Sequence, residues 1–312
     1  MKLSVIIPAL DDRALLAASL PLVLAELERL DTERELIVVD DTGTGALEEW
    51  LQVEFPSVQC LVREANGGFA AACLSGAEQA RGEILCVLNP DVCVQPGFFA
   101  PLLERLDSLA VFAAAPLVIR DGELTDESLP LLEQVDGSVV IRRRESVEPG
   151  VIAPGYEEGY PVAFALGGAF CVRREEFIAE AGFDPIFEPF YFEDVDLCWS
   201  AWRAGRRVVV DPRAVAEHSN RGTIGANVPE KVVHAGIEKN RHLFAWKHLD
   251  GEALEAYLDG LGEELADAVA SEDRERLSWF SLALDQLQAA LEKRKAGASL
   301  SRTHHEVLKE LS

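Results

Sequence analysis

The residues of this chain that could do chemistry are acids placed where strands should end. Asp40-Asp41 follows the apolar run Leu36-Ile-Val-Val39, and Asn89-Pro90-Asp91 follows Ile84-Leu-Cys-Val-Leu88. Carboxylates in such a place suit Mg2+ or Mn2+, which take one or two protein oxygens and complete their shell with a ligand's phosphates. Asp91 is the candidate ligand, although an Asp after Asn-Pro is also a good turn former. Glu193-Asp194-Val195-Asp196 opens a helical pattern. Acids in a first turn complement the helix dipole, but a carboxylate beside an acceptor hydroxyl can also act as general base, worth about 10²–10⁴-fold in rate. The aromatic approach from Phe187 to Phe192 would make its surroundings partly apolar and raise its pKa. His218, after a further strand pattern, would add a nitrogen to a carboxylate site, a mixture that favours Mn2+ over Ca2+; the plainer reading is a satisfied core or surface histidine. His234, His242, His248, His304 and His305 fall on helical patterns and read as structural or solvated.

Several function classes drop out. Gly43-Thr-Gly45 is followed by Ala-Leu-Glu48, so the third glycine of a dinucleotide fingerprint is missing, and no GxxxxGK[ST] loop occurs. Lys plus Arg number 29 against 54 Asp plus Glu, a formal charge of -25. That surface disfavours nucleic acid and anionic lipid as direct partners. The longest apolar run, Leu109 to Ile119, has 11 residues and contains Pro116, against the roughly 20 needed to span a bilayer. The opening MKLSVIIPALDD reads as a buried strand, and six scattered cysteines without a CxxC pair read as core residues of a reducing compartment. The expectation is a cytoplasmic protein with no transmembrane segment.

The elements that must position these residues alternate in period. Strand patterns at 3–9, 36–39, 58–63 and 84–88 are separated by helical spacing over 12–29, 46–54 and 68–81. This predicts an α/β fold with a mostly parallel sheet covered by helices on both faces, which binds ligands outside the carboxyl ends of its strands. Pro8-Ala9, Asp40-Asp41, Arg63 and Asn89-Pro90-Asp91 lie at those ends. Residues 120–160 are charged and punctuated by Gly and Pro, a long excursion of the kind that is often functional. Order returns over 162–172, with helices near 174–181 and 194–204 and a strand at 207–211. Helical patterns then fill 229–248, 252–269, 272–297 and 302–311. The division expected is 1–228 for the α/β domain and 229–312 for a C-terminal helical extension, which would cap the fold or mediate a homodimer.

Taken together, the motifs resemble glycosyltransferase family 2, with a GT-A fold. The matching stretches are Ser4-Val-Ile-Ile-Pro8, Glu35 to Asp40, Asn66-Gly-Gly-Phe-Ala70, Ala80-Arg-Gly-Glu83 and Leu88-Asn-Pro-Asp-Val92. Leu166-Gly-Gly-Ala-Phe170, Arg173-Arg-Glu-Glu176, Gly182-Phe-Asp184, Tyr191 to Trp199, Ala204-Gly-Arg and His218 follow in order. Lys239-Asn-Arg-His-Leu-Phe244 resembles the segment after the catalytic domain in rhamnosyltransferase-like members, and the likeness covers about residues 2–250. It departs at Leu10-Asp11, where the family has Tyr-Asn, and at Asp41-Thr42-Gly43, where it has Asn-Gly-Ser.

The resemblance implies roles. Asp40 or Asp41 would meet the base of a donor nucleotide, with Pro8 lining that pocket and Arg63 and Asn66 beside it. Asn89-Pro90-Asp91 takes the place of the DXD motif, with Asp91 as metal ligand, Asn89 its neutral partner and His218 the late metal ligand. Glu193-Asp194 matches the ED motif, making Asp194 the base of an inverting transfer. Gly167 and Gly168 would let backbone approach the sugar or acceptor, and the 120–160 excursion would lie on the acceptor side. The implied activity moves a hexose or deoxyhexose from a UDP- or dTDP-type sugar, with Mn2+ or Mg2+, to a glycan or lipid-linked glycan hydroxyl. Cell-surface polysaccharide synthesis at the inner face of the membrane is the expected setting. A non-catalytic nucleotide-sugar binder or assembly subunit is the alternative, and a nucleotidyltransferase would need a glycine-rich basic first loop that Pro8 to Arg13 lacks.

Overall fold

The structure, a computed structural model, describes residues 2–125, 127–135, 137–144, 147–218, 228–297 and 301–311. The first half alternates as the periodicity requires: β1 (Leu3–Ala9), α1 (Arg13–Glu28), β2 (Arg34–Asp40), α2 (Glu48–Glu54), β3 (Gln59–Val62), α3 (Gly68–Gln79) and β4 (Ile84–Leu88). Then come β5 (Val92–Val94), α4 (Phe99–Leu106), β6 (Val111–Arg120), β7 (Glu123–Leu124), a hairpin of β8 (Pro130–Val135) and β9 (Ser138–Arg143), and β10 (Tyr160–Pro161). β11 (Ala169–Arg173), α5 (Arg174–Ala179), α6 (Glu193–Arg203) and β12 (Arg207–His218) complete the sheet and its cover. Among the described residues five helices follow: α7 (Glu230–His248), α8 (Gly251–Ala270), α9 (Arg274–Leu284), α10 (Leu287–Ala296) and α11 (His304–Leu311).

The main sheet runs β10-β12-β6-β11-β4-β1-β2-β3, with β5 on β12 and β7 on β6. β1, β2, β3 and β4 are parallel, and β11 runs antiparallel to both β4 and β6, so β6 and its parallel partner β12 point the same way as β4. Successive strand residues face opposite sides. Val5, Ile7, Val38 and Cys86 pack with Leu16, Leu20 and Leu102 of α1 and α4, whereas Ile6, Ile37, Val39 and Val87 pack with Ala72, Cys73 and Phe177 of α3 and α5. Both faces are covered, which is why these strands are apolar throughout.

One run left unassigned is identified, and two readings are corrected. The apolar run at 109–119 is the central strand β6, and its Pro116, which has no N–H to give the ladder, lies opposite Asp211 where β12 shifts register. β12 extends from the expected 207–211 as far as His218. The helix expected over 272–297 is broken between Leu284 and Leu287 into α9 and α10. The 120–160 excursion also holds the unread β8–β9 hairpin.

The C-terminal helices have no core of their own. Phe244 of α7 meets Phe192 and Trp199, and Leu243, Trp246, Tyr257, Ala283, Ala290 and Val307 join the hydrophobic cluster on the α3 face of the sheet. Buried charge reinforces this seam: Asp196 on α6 bonds Lys247 and His248 on α7 at 2.8 and 2.6 Å, and Lys247 also reaches Asp184 at 2.7 Å.

Candidate functional site

The strand directions bring the expected residues to one edge of the sheet. Asn89-Pro90-Asp91 leaves the carboxyl end of β4, and β5 then pairs antiparallel with the end of β12, setting Val92 opposite His218. The imidazole Nε2 of His218 therefore lies 3.3 Å from Asp91 Oδ1, and its Nδ1 lies 2.9 Å from Glu127 Oε2. Burial presses this histidine towards neutrality, but bonds to Asp91 and Glu127 outweigh it and push its pKa to about 9. Asp91 is buried, and its Oδ2 has no hydrogen-bond partner among the described residues. A buried carboxylate oxygen left without a partner costs free energy unless something binds it. Once the imidazole gives up its second proton, which a bound cation would displace, the two make an O,N donor pair that suits Mn2+ or Mg2+. Among the described residues no three His, Cys, Asp or Glu side chains form a ready-made metal cage, and such cations commonly complete their shell with water and a ligand's phosphates.

A two-glycine step joins this corner to the first turn of α6. Asn89 N–H donates to Gly168 O at 2.8 Å, and Gly167 N–H donates to Asp194 Oδ2 at 2.9 Å. A Cβ on Gly168 would fall 2.2 Å from Asn89 Nδ2, and one on Gly167 would press on Asp194. The side chains of Asn89 and Asp194 fill that space, which is why these two positions are glycine. The other Asp194 oxygen accepts from Val195 N–H at 2.8 Å. Burial raises the Asp194 carboxyl to about 6 against those bonds, and burial plus the Asp194 charge raises Glu193 to about 8. Glu193 Oε2 is buried without a partner among the described residues. Glu127 adds negative charge beside Asp194, so it ties the histidine corner to the α6 corner. Tyr191, 40% exposed, borders the same acids, and burial followed by Glu127, Glu193 and Asp194 raises its phenol.

The second group gathers around β2, β3 and α3. Asp41 accepts from Arg63, from Gly67 N–H at 3.0 Å and from Gly68 N–H at 2.8 Å, so it caps α3. Asn66 is exposed at the same turn, its Oδ1 accepting from Gly68 N–H at 3.1 Å. Asp40 belongs elsewhere. It is fully buried, and its carboxylate is taken by Thr42 N–H and hydroxyl and by Leu47 N–H at 2.8 Å. It shapes the loop after β2, and of the two acids Asp41 is the one beside Arg63. Pro8 is buried in β1 opposite Val39.

Sequence reasoning missed Glu127, which sits in the excursion with no periodicity around it to single it out. It also missed the contacts of Lys239 and Asn240, whose types gave no sign that they hold a loop 50 residues upstream. Of the five histidines read as structural or solvated, His242, His248 and His304 are buried, and His234 and His305 are exposed. Among the described residues no helix is long and apolar enough to cross a membrane.

Residues 4–174 match the model of the family described as Glycosyl transferase family 2. Among curated proteins, the chain is 26% identical over 245 residues to polypeptide N-acetylgalactosaminyltransferase 5 of Rattus norvegicus, covering 75% of this chain and 26% of that protein. The chain thus spans about a quarter of that relative's length. Among solved structures, GalNAc-T7 with UDP, GalNAc and Mn2+ superposes with a TM-score of 0.62 at 18% identity, over 87% of this chain and 57% of that one. TarS 1-349 of S. aureus in complex with UDP-GlcNAc superposes at 0.57 with 16% identity, over 95% and 83%. At such identities the structural likeness speaks for the fold, a GT-A-like α/β sheet with a helical C-terminal region.

Proposed function

The chain belongs to glycosyl transferase family 2, and from that premise we propose that it is an inverting, metal-dependent glycosyltransferase. It would take a hexose or deoxyhexose from a UDP- or dTDP-type sugar and pass it to a hydroxyl of a glycan or lipid-linked glycan. We place that reaction in cell-surface polysaccharide synthesis on the cytoplasmic side of the membrane, and read Lys239 to Phe244 as a rhamnosyltransferase-like segment. The observation that carries the proposal is the Gly167–Gly168 step, which bonds the strand-end turn bearing Asp91 on one side and Asp194 on the other.

Asp91 and His218 would hold Mn2+ or Mg2+. Bound there, the cation would supply positive charge to offset that of the departing diphosphate. Arg63, Asp41 and Asn66 would flank the nucleotide at the start of α3. Asp194 takes the proton of the attacking hydroxyl; its raised pKa keeps it a useful base near neutrality, and Gly167 N–H fixes its orientation. Glu193, held protonated by burial beside Asp194, keeps a second negative charge out of the reacting centre.

The test is calorimetric binding of UDP, dTDP and GDP, each with Mn2+ and with EDTA. Binding of one nucleotide that EDTA abolishes supports the proposal and names the base. No binding of any would favour a non-catalytic assembly subunit.

A further inference from the structure

The 190s turn in front of α6 is strained, and a side chain from another part of the chain holds it. Tyr191 and Phe192 both take left-handed backbone conformations, with φ of 70° and 74°. Two successive non-glycine residues in that region are uncommon and cost free energy, so the conformation persists only if its surroundings impose it. Both lie immediately before Glu193 and Asp194. The first helical bond of α6, from Asp196 N–H to Phe192 O at 2.8 Å, starts from the second of them.

What imposes it comes from α7. Asn240 is fully buried, and its Nδ2 lies 2.6 Å from Phe187 O, 3.0 Å from Phe190 O and 2.7 Å from Tyr191 O. Lys239, next to it, donates to Glu188 O at 2.5 Å. The orientation of the amide is forced, because turning it over would set its oxygen against three carbonyls. The hydrogen bonds described for these two side chains go to the loop backbone before Glu193 and Asp194 and not to those acids. They fasten the backbone on which those acids stand.

We propose that Asn240 is a positioning residue: with Lys239 it clamps the left-handed Tyr191–Phe192 turn and so holds Asp194 against Gly167. Released from the clamp, residues 191 and 192 relax towards negative φ, and the first turn of α6 loses the direction that brings Asp194 to Gly167. The catalytic consequence rests on Asp194 being the base; the clamp itself does not.

The test is residue-resolved amide hydrogen exchange on the full chain, with Mn2+-dependent UDP binding measured in parallel. Asn240→Leu removes the donor and leaves three carbonyls buried without it. The expected result is exchange at least 10-fold faster at residues 191–196, unchanged protection in β1 and β4, and a UDP dissociation constant within twofold of wild type. Tyr191→Gly in the same background should bring exchange at 193–196 back to within threefold, since glycine takes positive φ without strain. A residue that merely filled the core would not be rescued in this way. Unchanged exchange at 191–196, an equal rise across β1 and β4, or no rescue by Tyr191→Gly would overturn the clamp. Should Asn240→Leu fail to fold, Lys239→Met removes only the Glu188 contact and is judged by the same local criterion. A wild-type chain that binds none of UDP, dTDP and GDP counts against the glycosyltransferase reading alone, because the exchange data still judge the clamp.

Discussion

Replacing Glu193 by Gln should stabilise this protein at pH 8 and do much less at pH 5.5. Glu193 holds its proton up to about 8, against an ordinary 4.5, because burial and the neighbouring Asp194 both penalise its charge. The folded state therefore binds a proton that the unfolded state has released, and stability falls as pH rises from about 4.5 to about 8. A shift of roughly 3.5 units at about 1.4 kcal/mol each sets an upper bound near 5 kcal/mol, of which about 3 kcal/mol falls between pH 5.5 and 8. Solvent reaches part of the side chain, and screening roughly halves this to about 1.5 kcal/mol. At about 2 °C per kcal/mol for a chain of this size, Glu193→Gln should raise Tm at pH 8 by about 3 °C more than at pH 5.5. Thermal unfolding of both proteins in EDTA across that range measures it, the lower limit staying above the isoelectric point of about 4.6. A variant no more stabilised at pH 8 than at pH 5.5 would show that Glu193 is solvated and ionised, and the account of the acid pair would go with it.

Three further outcomes follow from the same contacts. Asp194→Asn should cut transfer by about 10²-fold or more while UDP affinity changes less than twofold, and wild-type turnover should rise with pH through about 6 as Asp194 ionises; turnover near wild type in the variant would remove Asp194 as base. Gly168→Ala sets a Cβ 2.2 Å from Asn89 Nδ2, so the Asn89 side chain must move; a destabilisation of about 1–3 kcal/mol is expected in urea unfolding, together with weaker Mn2+-dependent UDP binding. Asp211→Ala strands buried Arg105, whose Nε lies 2.6 Å from that carboxylate, and should cost about 3–5 kcal/mol in the same unfolding measurement.

The sheet was legible because each central strand is buried on both faces and so reads as an unbroken apolar run. Where the run carried a proline, at Pro116, the strand went unread, since nothing in the local sequence tells that β12 shifts register opposite it. The strand-end positions of Asp91 and Asp41, and the first-turn position of Asp194, were legible for the same topological reason. The role of Asp40 was not: it and Asp41 are identical acids in adjacent positions. Whether a carboxylate closes its own loop or meets Arg63 depends on which side of β2 it faces at the strand's last turn. Glu127 and Asn240 stayed hidden because their partners are far away in sequence, 91 residues for the first and about 50 for the second.

The distribution of charge at the site bears on the proposed reaction as strongly as any single contact. Asp91, Glu127 and Asp194 put negative charge at one end of the sheet, while Glu193 keeps its proton, and the described contacts place the imidazolium of His218 against Asp91 and Glu127. A diphosphate brought to that end meets like charge at close range, where partial burial weakens the screening that water would provide. Arg63 does not relieve this, because Asp41 already pairs with it. The contacts described suggest two ways for a nucleotide to settle there: a divalent cation displaces the extra proton of His218 and joins it and Asp91, or Arg63 leaves Asp41 for the phosphates. The two differ in a measurable way. The first makes UDP binding collapse in EDTA and in Asp91→Asn; the second leaves both nearly unchanged and makes binding collapse in Arg63→Met. Among the described residues Asp91 Oδ2 has no partner, which favours the first, since such an oxygen is stabilised by a cation and gains nothing from a departing arginine.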